Sequence, residues 1–411
     1  MCWARRRQRE ALDAQTNHSI LSWERDLVRA AVVHIGDGVA EIIGVASAPL
    51  QGTSRTARPD VDRWFAACSA ALTEAEDATA LSGGKKVVAN YVTMGIPSEL
   101  ISSLPVMVER QRRSTQDPVT ADELEKLLRR SYRTAQDILA ASSDTDSRPV
   151  DIVSGDVCQF VLDGQWVDDP VGLHGESLEL HVHYSLAPHD WVRALQLVAE
   201  RLQTGLAALV PHQVSLARPL PNPYALLVQL DHEHTVISGL RRGRMAWTER
   251  VDCGERQLVQ NTAAALSLRE RQAPSLMRVY RARQLSVEAE TQVAAAFWAE
   301  LRGWMDQLGA AARPHLQDAA PRQVFVADET RRMPEALASL TTPYWEQSLP
   351  FGCCPDVVEY EPAMVRNVLD CTGRAGGAEF LRLRALAHGV TKRGASASPL
   401  ERLAADMIRW R

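Results

Sequence analysis

Apolar and polar positions change their period several times along the chain, and each change predicts an element. Ala30 to Ser47 alternates around Gly36 and Gly38, which predicts a β-hairpin. From Asp60 to Ala78, Val61, Trp64, Phe65, Cys68, Ala71, Leu72 and Ala75 recur at helical spacing, and a strand follows at Lys86–Met94. Between Gly95 and Thr204 the texture shifts. Asp117-Pro118-Val119-Thr120, with Glu123 three residues after Thr120, is a capping box opening a charged helix that runs to Ala141. Val150–Val153, Cys158–Leu162 and Leu178–Tyr184 read as strands, and Trp191–Leu209 as a helix.

The first texture then returns. Ala225–Leu230, Val236–Leu240 and Arg244–Val251 read as three strands and Arg256–Leu268 as a helix, repeating the hairpin-then-helix order of the first part. A duplicated fold is expected. Ser286–Leu308 predicts a long amphipathic helix, Gln323–Ala327 a strand and Met333–Leu340 a helix. Gly389–Ala397 is rich in Gly, Ala, Ser and basic residues and reads as a linker. Beyond it, Leu400, Leu403, Met407, Ile408 and Trp410 share one helical face opposite Arg402, Asp406 and Arg409, a pattern suited to a membrane interface or to a protein surface.

Composition narrows the function classes. A net charge of -5 and a pI near 6.2 argue against nucleic acid as a partner. No apolar run approaches the roughly 20 residues that span a bilayer, and the basic start Arg5–Arg7 lacks the apolar stretch of a secretory signal, so a cytoplasmic location is expected. Seven cysteines without regular spacing suggest neither a disulfide framework nor a CxxC metal site. Asp231-His232-Glu233-His234, with His181 and His183, lacks a further ligand at recognisable spacing and reads as turn and strand-surface residues; no metal is expected. There is no nucleophile elbow, and Gly373–Gly377 lacks the Lys-Ser/Thr of a phosphate loop.

Asp163-Gly164-Gln165, then Asp169-Pro170-Val171-Gly172-Leu173-His174-Gly175 and Leu178-Glu179-Leu180, resembles a segment of the bacterial cell-division protein FtsA family, as do Val92–Ser98 and Val119–Leu128. The resemblance implies a bilobal, actin-like α/β fold of the duplicated, ribonuclease-H-like kind, with an inserted α+β subdomain. On that frame residues 1–28 are a flexible extension, 29–84 the start of the first lobe, 85–205 the insert, 206–388 the second lobe and return, 389–398 a linker and 399–411 the terminal helix.

In actin-like ATPases, glycine-lined hairpin turns bring backbone N–H groups to the phosphates, and aspartates support Mg²⁺ and water. The resemblance places the first turn at His34-Ile35-Gly36-Asp37-Gly38, where His34 replaces a carboxylate and Asp37 a hydroxyl. It places the second at Gln229-Leu230-Asp231-His232-Glu233-His234, without its glycines, supported in register by Gly254 and by Asn261, which replaces an acidic residue. A third, adenine-side element becomes Asp328-Glu329-Thr330. Mg-ATP hydrolysis is not expected, and no cofactor is.

The implied role is a scaffold that tethers FtsZ or other divisome proteins to the inner face of the membrane, self-associates and touches the bilayer through its last helix. Two alternatives stay open. One is a pilus or secretion assembly scaffold of the same actin-like superfamily. The other is an ATPase with a remodelled pocket, in which His34, Asp37 or Asp231 takes over metal binding.

Overall fold

The computed structural model describes residues 17–394 except 25, 51–58, 113, 142–147, 221, 223, 242, 317–320, 329–332 and 352–354. In chain order the first part holds β1 (Asn17–Trp23), β2 (Leu27–Gly36), β3 (Val39–Pro49), α1 (Val61–Gly83), β4 (Tyr91–Ile96), β5 (Ser102–Gln111), α2 (Ala121–Ala141), β6 (Val150–Leu162), β7 (Gln165–Val167), β8 (Ser177–Pro188), α3 (His189–Arg201), β9 (Gly205–Pro211) and α4 (His212–Ala217). The middle holds β10 (Ala225–Leu230), β11 (Thr235–Arg241), β12 (Arg244–Val251), α5 (Glu255–Ala265), α6 (Ala273–Arg281), α7 (Val287–Ala312), β13 (Gln323–Ala327), α8 (Pro334–Leu340), α9 (Pro343–Ser348) and β14 (Asp356–Glu359). The chain returns through β15 (Val368–Asp370) and α10 (Leu381–Gly394).

Two compact units result. Unit 1 comprises residues 1–221, 243–246 and 362–411, and unit 2 comprises 222–242 and 247–361. The main sheet of unit 1 has the order β15-β3-β2-β1-β4-β9, and the sheet of unit 2 has the order β12-β11-β10-β13-β14. Without β15 the two orders coincide. In each, an antiparallel three-strand meander continues into strands parallel to the first. The duplication expected from the hairpin-then-helix echo is present as topology.

One face of the unit 1 sheet packs on α1 and α3. Leu21, Trp23, Val32, Met94 and Leu209 meet Trp64, Cys68, Leu72, Trp191 and Leu195 there. The rings of Trp23 and Trp64 lie 5.1 Å apart and those of Trp64 and Trp191 4.9 Å apart, offset and edge-on contacts that add to the area they bury. The opposite face carries a buried polar layer: His18 Nε2 bonds Thr93 Oγ1 (2.9 Å) and Ser22 Oγ bonds His212 Nε2 (3.2 Å). Gly95 makes room for this layer, since a Cβ there would come within 2.5 Å of His212 Nε2.

Several expectations need correction. Residues 1–28 are not all extension, because Asn17–Trp23 forms β1, flanked by β2 and β4. Both faces of β1 are covered and its buried positions include His18, Ser19 and Ser22, so the apolar alternation that marks a strand is missing. The insert is narrower than 85–205: its own sheet, β5-β8-β6-β7, spans Ser102 to Pro188, while β4 and β9 belong to the main sheet and α3 packs on it. The helix expected over Trp191–Leu209 stops at Arg201, Gln203 adopts φ 57°, and the apolar run Leu206–Val210 becomes β9. The linker expected from Gly389 begins later, because α10 continues to Gly394 with Val390 and Thr391 buried. Residues 395–411, with Leu400, Leu403, Met407, Ile408 and Trp410, lie outside the described residues.

The capping box is formed as expected. Thr120 Oγ1 accepts from the Glu123 N–H (3.3 Å), and Glu123 Oε2 accepts from the Thr120 N–H (3.1 Å). Thr120→Ala is expected to cost about 1 kcal/mol, measured as a lower urea midpoint. An unchanged midpoint would mean the cap contributes nothing.

Candidate functional site

In open α/β sheets ligands bind outside the carboxyl ends of the parallel strands. In unit 1 that edge is where β1, β4 and β9 end, and there Trp23 at the end of β1 pairs with Val28 of β2. His34–Gly38 is elsewhere. His34 pairs with Asn17 at the start of β1, and its Nδ1 lies 2.9 Å from Asn17 Oδ1, so this turn joins β2 to β3 at the opposite end of the sheet. Asp37 (φ 50°) and Gly38 (φ 76°) form the two-residue loop of a primed hairpin turn, which the Asp-Gly pair favours for its twist.

The shared strand order therefore corrects the register of the first turn. In unit 2 the segment Asp231–His234 joins the first strand of the sheet to the second. Its counterpart in unit 1 is the β1–β2 turn, with Ser22 standing where Gln229 stands one lobe later. The pattern Ile20-Leu21-Ser22-Trp23, a charged break, then Leu27-Val28 carried the signal for that hairpin. The apparent order of a Gly-rich turn at 36–38 drew attention from it.

The β1–β2 turn is closed. The Glu24 N–H donates to Leu27 O (2.9 Å), and the Glu24 carboxylate is held by two donors of Arg29, Nη2 at 3.0 Å among them. Arg29 also lies 4.9 Å over the Phe380 ring. A carboxylate thus occupies a turn that in a phosphate cradle would present bare N–H groups.

The β10–β11 turn of unit 2 is closed more firmly. The Asp231 N–H donates to His234 O (3.0 Å), while Asp231 O and His232 O accept from the Glu255 and Arg256 N–H groups at the start of α5 (3.2 and 2.9 Å). Those two N–H groups are among the four that a helix start leaves without an intrahelical partner. Here the turn itself satisfies them. Gly254, the N-cap of α5, lies against the turn so closely that a Cβ would sit 2.4 Å from His234 N and 2.6 Å from Asp231 O.

Side chains complete the closure. Trp304 Nε1 of α7 donates to Thr235 Oγ1 (3.0 Å), and Thr235 Oγ1 donates to Cys253 O (2.7 Å). His232 Nδ1 lies 3.1 Å from Glu255 Oε2, and Arg256 Nη1 donates to Glu233 (3.2 Å). Beneath the turn Gln229 Nε2 donates to Asp231 Oδ2 (3.1 Å), and His234 Nε2 lies 3.4 Å from the same oxygen. Burial pushes the Cys253 thiol up to about 11, with the Glu300 carboxylate adding to the effect, so it stays protonated at neutral pH.

Asp328 directly follows β13, next to Ala327, the register partner of Gln229, and its Oδ2 accepts from the Met333 N–H (2.9 Å). The fold thus brings Gln229, Asp231, His232, Glu233 and Asp328 to one sheet edge. Glu329 and Thr330 lie outside the described residues. Asn261 is exposed on α5 and donates to Glu300 of α7 (2.9 Å), tying two helices. His181 and His183 face one side of the insert sheet, where His183 is buried, bonds Ser103 Oγ (2.6 Å) and is pushed down to about 4 by that burial despite nearby Asp156.

The insert motif is a brace. Asp163 Oδ1 accepts from the Glu176 and Ser177 N–H groups, and the Leu173 N–H donates to Pro170 O across a turn in which Gly172 has φ 84°. That positive φ at the third position suits glycine. Val119 exchanges backbone bonds with Leu173 and Gly172, and Asp169 Oδ1 accepts from the Val171 N–H. Gly175 is pressed on Leu162. Arg112 gathers these strands of chain, donating to Gly175 O (2.8 Å), Asp117 O (2.9 Å) and Glu123. Val171 and Leu173 remain 46% and 41% exposed at the tip.

No sequence-family profile matches the chain, and no curated protein matches it in sequence. Among solved structures it is similar to the PilM–PilN type IV pilus biogenesis complex, at 13% identity over 90% of this chain and 98% of that one, with a TM-score of 0.59. It also matches the ethanolamine utilization protein EutJ from Carboxydothermus hydrogenoformans (10% identity, 89% and 90% covered, TM-score 0.43). A third match is a Bacteroides thetaiotaomicron protein with an actin-like ATPase fold and unknown function (7% identity, 91% and 96% covered, TM-score 0.38). The likeness to PilM–PilN and the duplicated strand order together give the chain a mixed α/β fold of the actin-like kind.

Proposed function

We propose that this chain is an actin-like scaffold that acts by binding proteins, in the assembly of a pilus or secretion machine, and does not hydrolyse Mg-ATP. The observation that carries the reading is the β10–β11 turn, whose carbonyls occupy the N–H groups of α5 and whose edge gathers carboxylates. A polyphosphate brought to that edge meets like charge at about 1–4 kcal/mol per close pair, depending on how far water screens it. The fold similarity to PilM–PilN, a pilus biogenesis complex of two proteins, supports the assembly role.

A second reading, an FtsA-like tether for FtsZ or other divisome proteins, is supported by the resemblance of residues 163–180 and by the exposed Val171 and Leu173 that this motif presents. Self-association and membrane contact through residues 399–411 belong to both readings. Among the described residues no helix is long and apolar enough to cross a membrane.

The full chain, immobilised and offered purified FtsZ in parallel with peptides from the cytoplasmic tails of pilus-assembly membrane proteins, separates the two. Saturable binding of a tail peptide without binding of FtsZ is the expected result. FtsZ binding weakened by Leu173→Asp would establish the second reading instead.

A further inference from the structure

We propose that the β10–β11 hairpin of unit 2 is a binding site for a divalent transition metal, zinc by its ligand chemistry, held by His234 Nε2, Asp231 Oδ2 and the side-chain oxygen of Gln229. The first observation is His234. It is 1% exposed, and its Nε2 is buried without a hydrogen-bond partner, 3.4 Å from a carboxylate oxygen. That separation is long for a hydrogen bond. It is the right length for the edge of a coordination tetrahedron, because metal–ligand bonds of roughly 2.0–2.2 Å at tetrahedral angles put neighbouring ligand atoms about 3.3–3.5 Å apart.

Gln229 supplies the third position. It is 1% exposed, and its amide nitrogen lies 3.1 Å from the same Asp231 Oδ2. The oxygen and nitrogen of an amide exchange places by a flip that leaves the shape unchanged. Flipped, the carbonyl oxygen takes the place of the amide nitrogen beside Asp231 Oδ2, the oxygen that His234 Nε2 also approaches. One imidazole, one carboxylate and one amide oxygen leave a fourth position for water, a donor set that suits zinc through its imidazole.

The hairpin holds these ligands in place before any metal arrives. Asp231 and His234 are joined by a backbone hydrogen bond, Asp231 O is fixed to α5, and Gly254 packs against the turn. Thr235, the next residue, is clamped by Trp304. Little ordering is left to be done on binding, which favours affinity. This inference departs from the expectation, drawn from spacing alone, that the histidines of this turn hold no metal. It concerns the same hairpin as the proposed function and would offset part of the Asp231 charge there, but it requires no protein partner.

The test is a titration of the full chain, stripped of metal and without nucleotide, with Co²⁺ as a visible-absorbing stand-in, followed by displacement with Zn²⁺. One Co²⁺ per chain, displaced by Zn²⁺, is expected. His234→Gln and Asp231→Asn should each weaken binding roughly tenfold or more, while His232→Gln leaves it unchanged. Should one variant fail to fold by circular dichroism, the other still decides. Absence of the Co²⁺ absorption in the native chain, or full-strength binding by a folded His234→Gln or Asp231→Asn variant, would overturn the site.

Discussion

Gly254→Ala is expected to lower the stability of unit 2 by about 3 kcal/mol, the upper range for forcing extra volume into a close-packed site. The cause is distance and not dihedral strain. Gly254 has φ -120° and ψ -171°, extended values open to any residue, but the new methyl would meet His234 N at 2.4 Å and both Asp231 O and Glu233 C at 2.6 Å. These are backbone atoms with nowhere to rotate. Either α5 moves off the turn or the turn opens, and each course loses the Glu255 and Arg256 hydrogen bonds. Gly303 is the control, since a methyl there meets nothing within 4 Å on the exposed side of α7. Gly303→Ala should stabilise by up to about 1 kcal/mol through helix propensity. Urea denaturation of the two variants side by side measures both effects, and equal midpoints would contradict the packing described here.

The second large effect is expected in the insert. Arg112→Met removes a guanidinium whose side chain is 3% exposed, takes its hydrogen bonds from Gly175 O and Asp117 O, and leaves the Glu123 carboxylate with the Thr120 N–H but without its counter-charge. Breaking such a pair from one side costs about 3 kcal/mol, somewhat less where the surviving carboxylate can reach water, and Glu123 is 21% exposed. The signature is pH. Burial alone would raise the Glu123 carboxyl, but hydrogen bonds from Arg112 and from the Thr120 N–H outweigh it and hold the group below its ordinary 4.5. A carboxyl depressed in the folded state stabilises above its unfolded value and loses that contribution as pH falls through the folded one. The native insert should therefore weaken below about pH 4.5, and the gap between native protein and Arg112→Met should narrow there. A gap independent of pH would mean the guanidinium acts through packing alone.

The contrast between the two units shows which parts of the site were legible in the sequence. Gln229, Asp231 and Asp328 were legible because the resemblance could be laid on β10 and β13, whose apolar runs, broken inside β10 only by Gln229, make their ends plain. The counterpart in unit 1 escaped. β1 buries His18 and Ser22 in a polar layer on one face and Ser19 on the other, and such a strand looks like loop when only the periodicity of apolar residues is followed. The Asp37-Gly38 pair, at the far end of the sheet, carries the stronger turn signal. The role of Gly254 was assigned by register, but its reason, a backbone contact across 20 residues of chain, exists only in three dimensions. The capping box at Thr120 lay open in the sequence because every bond in it is local.

With Glu24 held by Arg29 and the 231–234 turn closed on α5, these hairpins no longer hold a nucleotide. Calorimetric titration of the full chain with ATP and Mg²⁺, beside an actin-like relative with intact turns, tests it most directly. No binding heat is expected up to millimolar ligand. Saturable micromolar binding, lost in Asp231→Asn, would contradict it and return the chain to the nucleotide-dependent members of its fold.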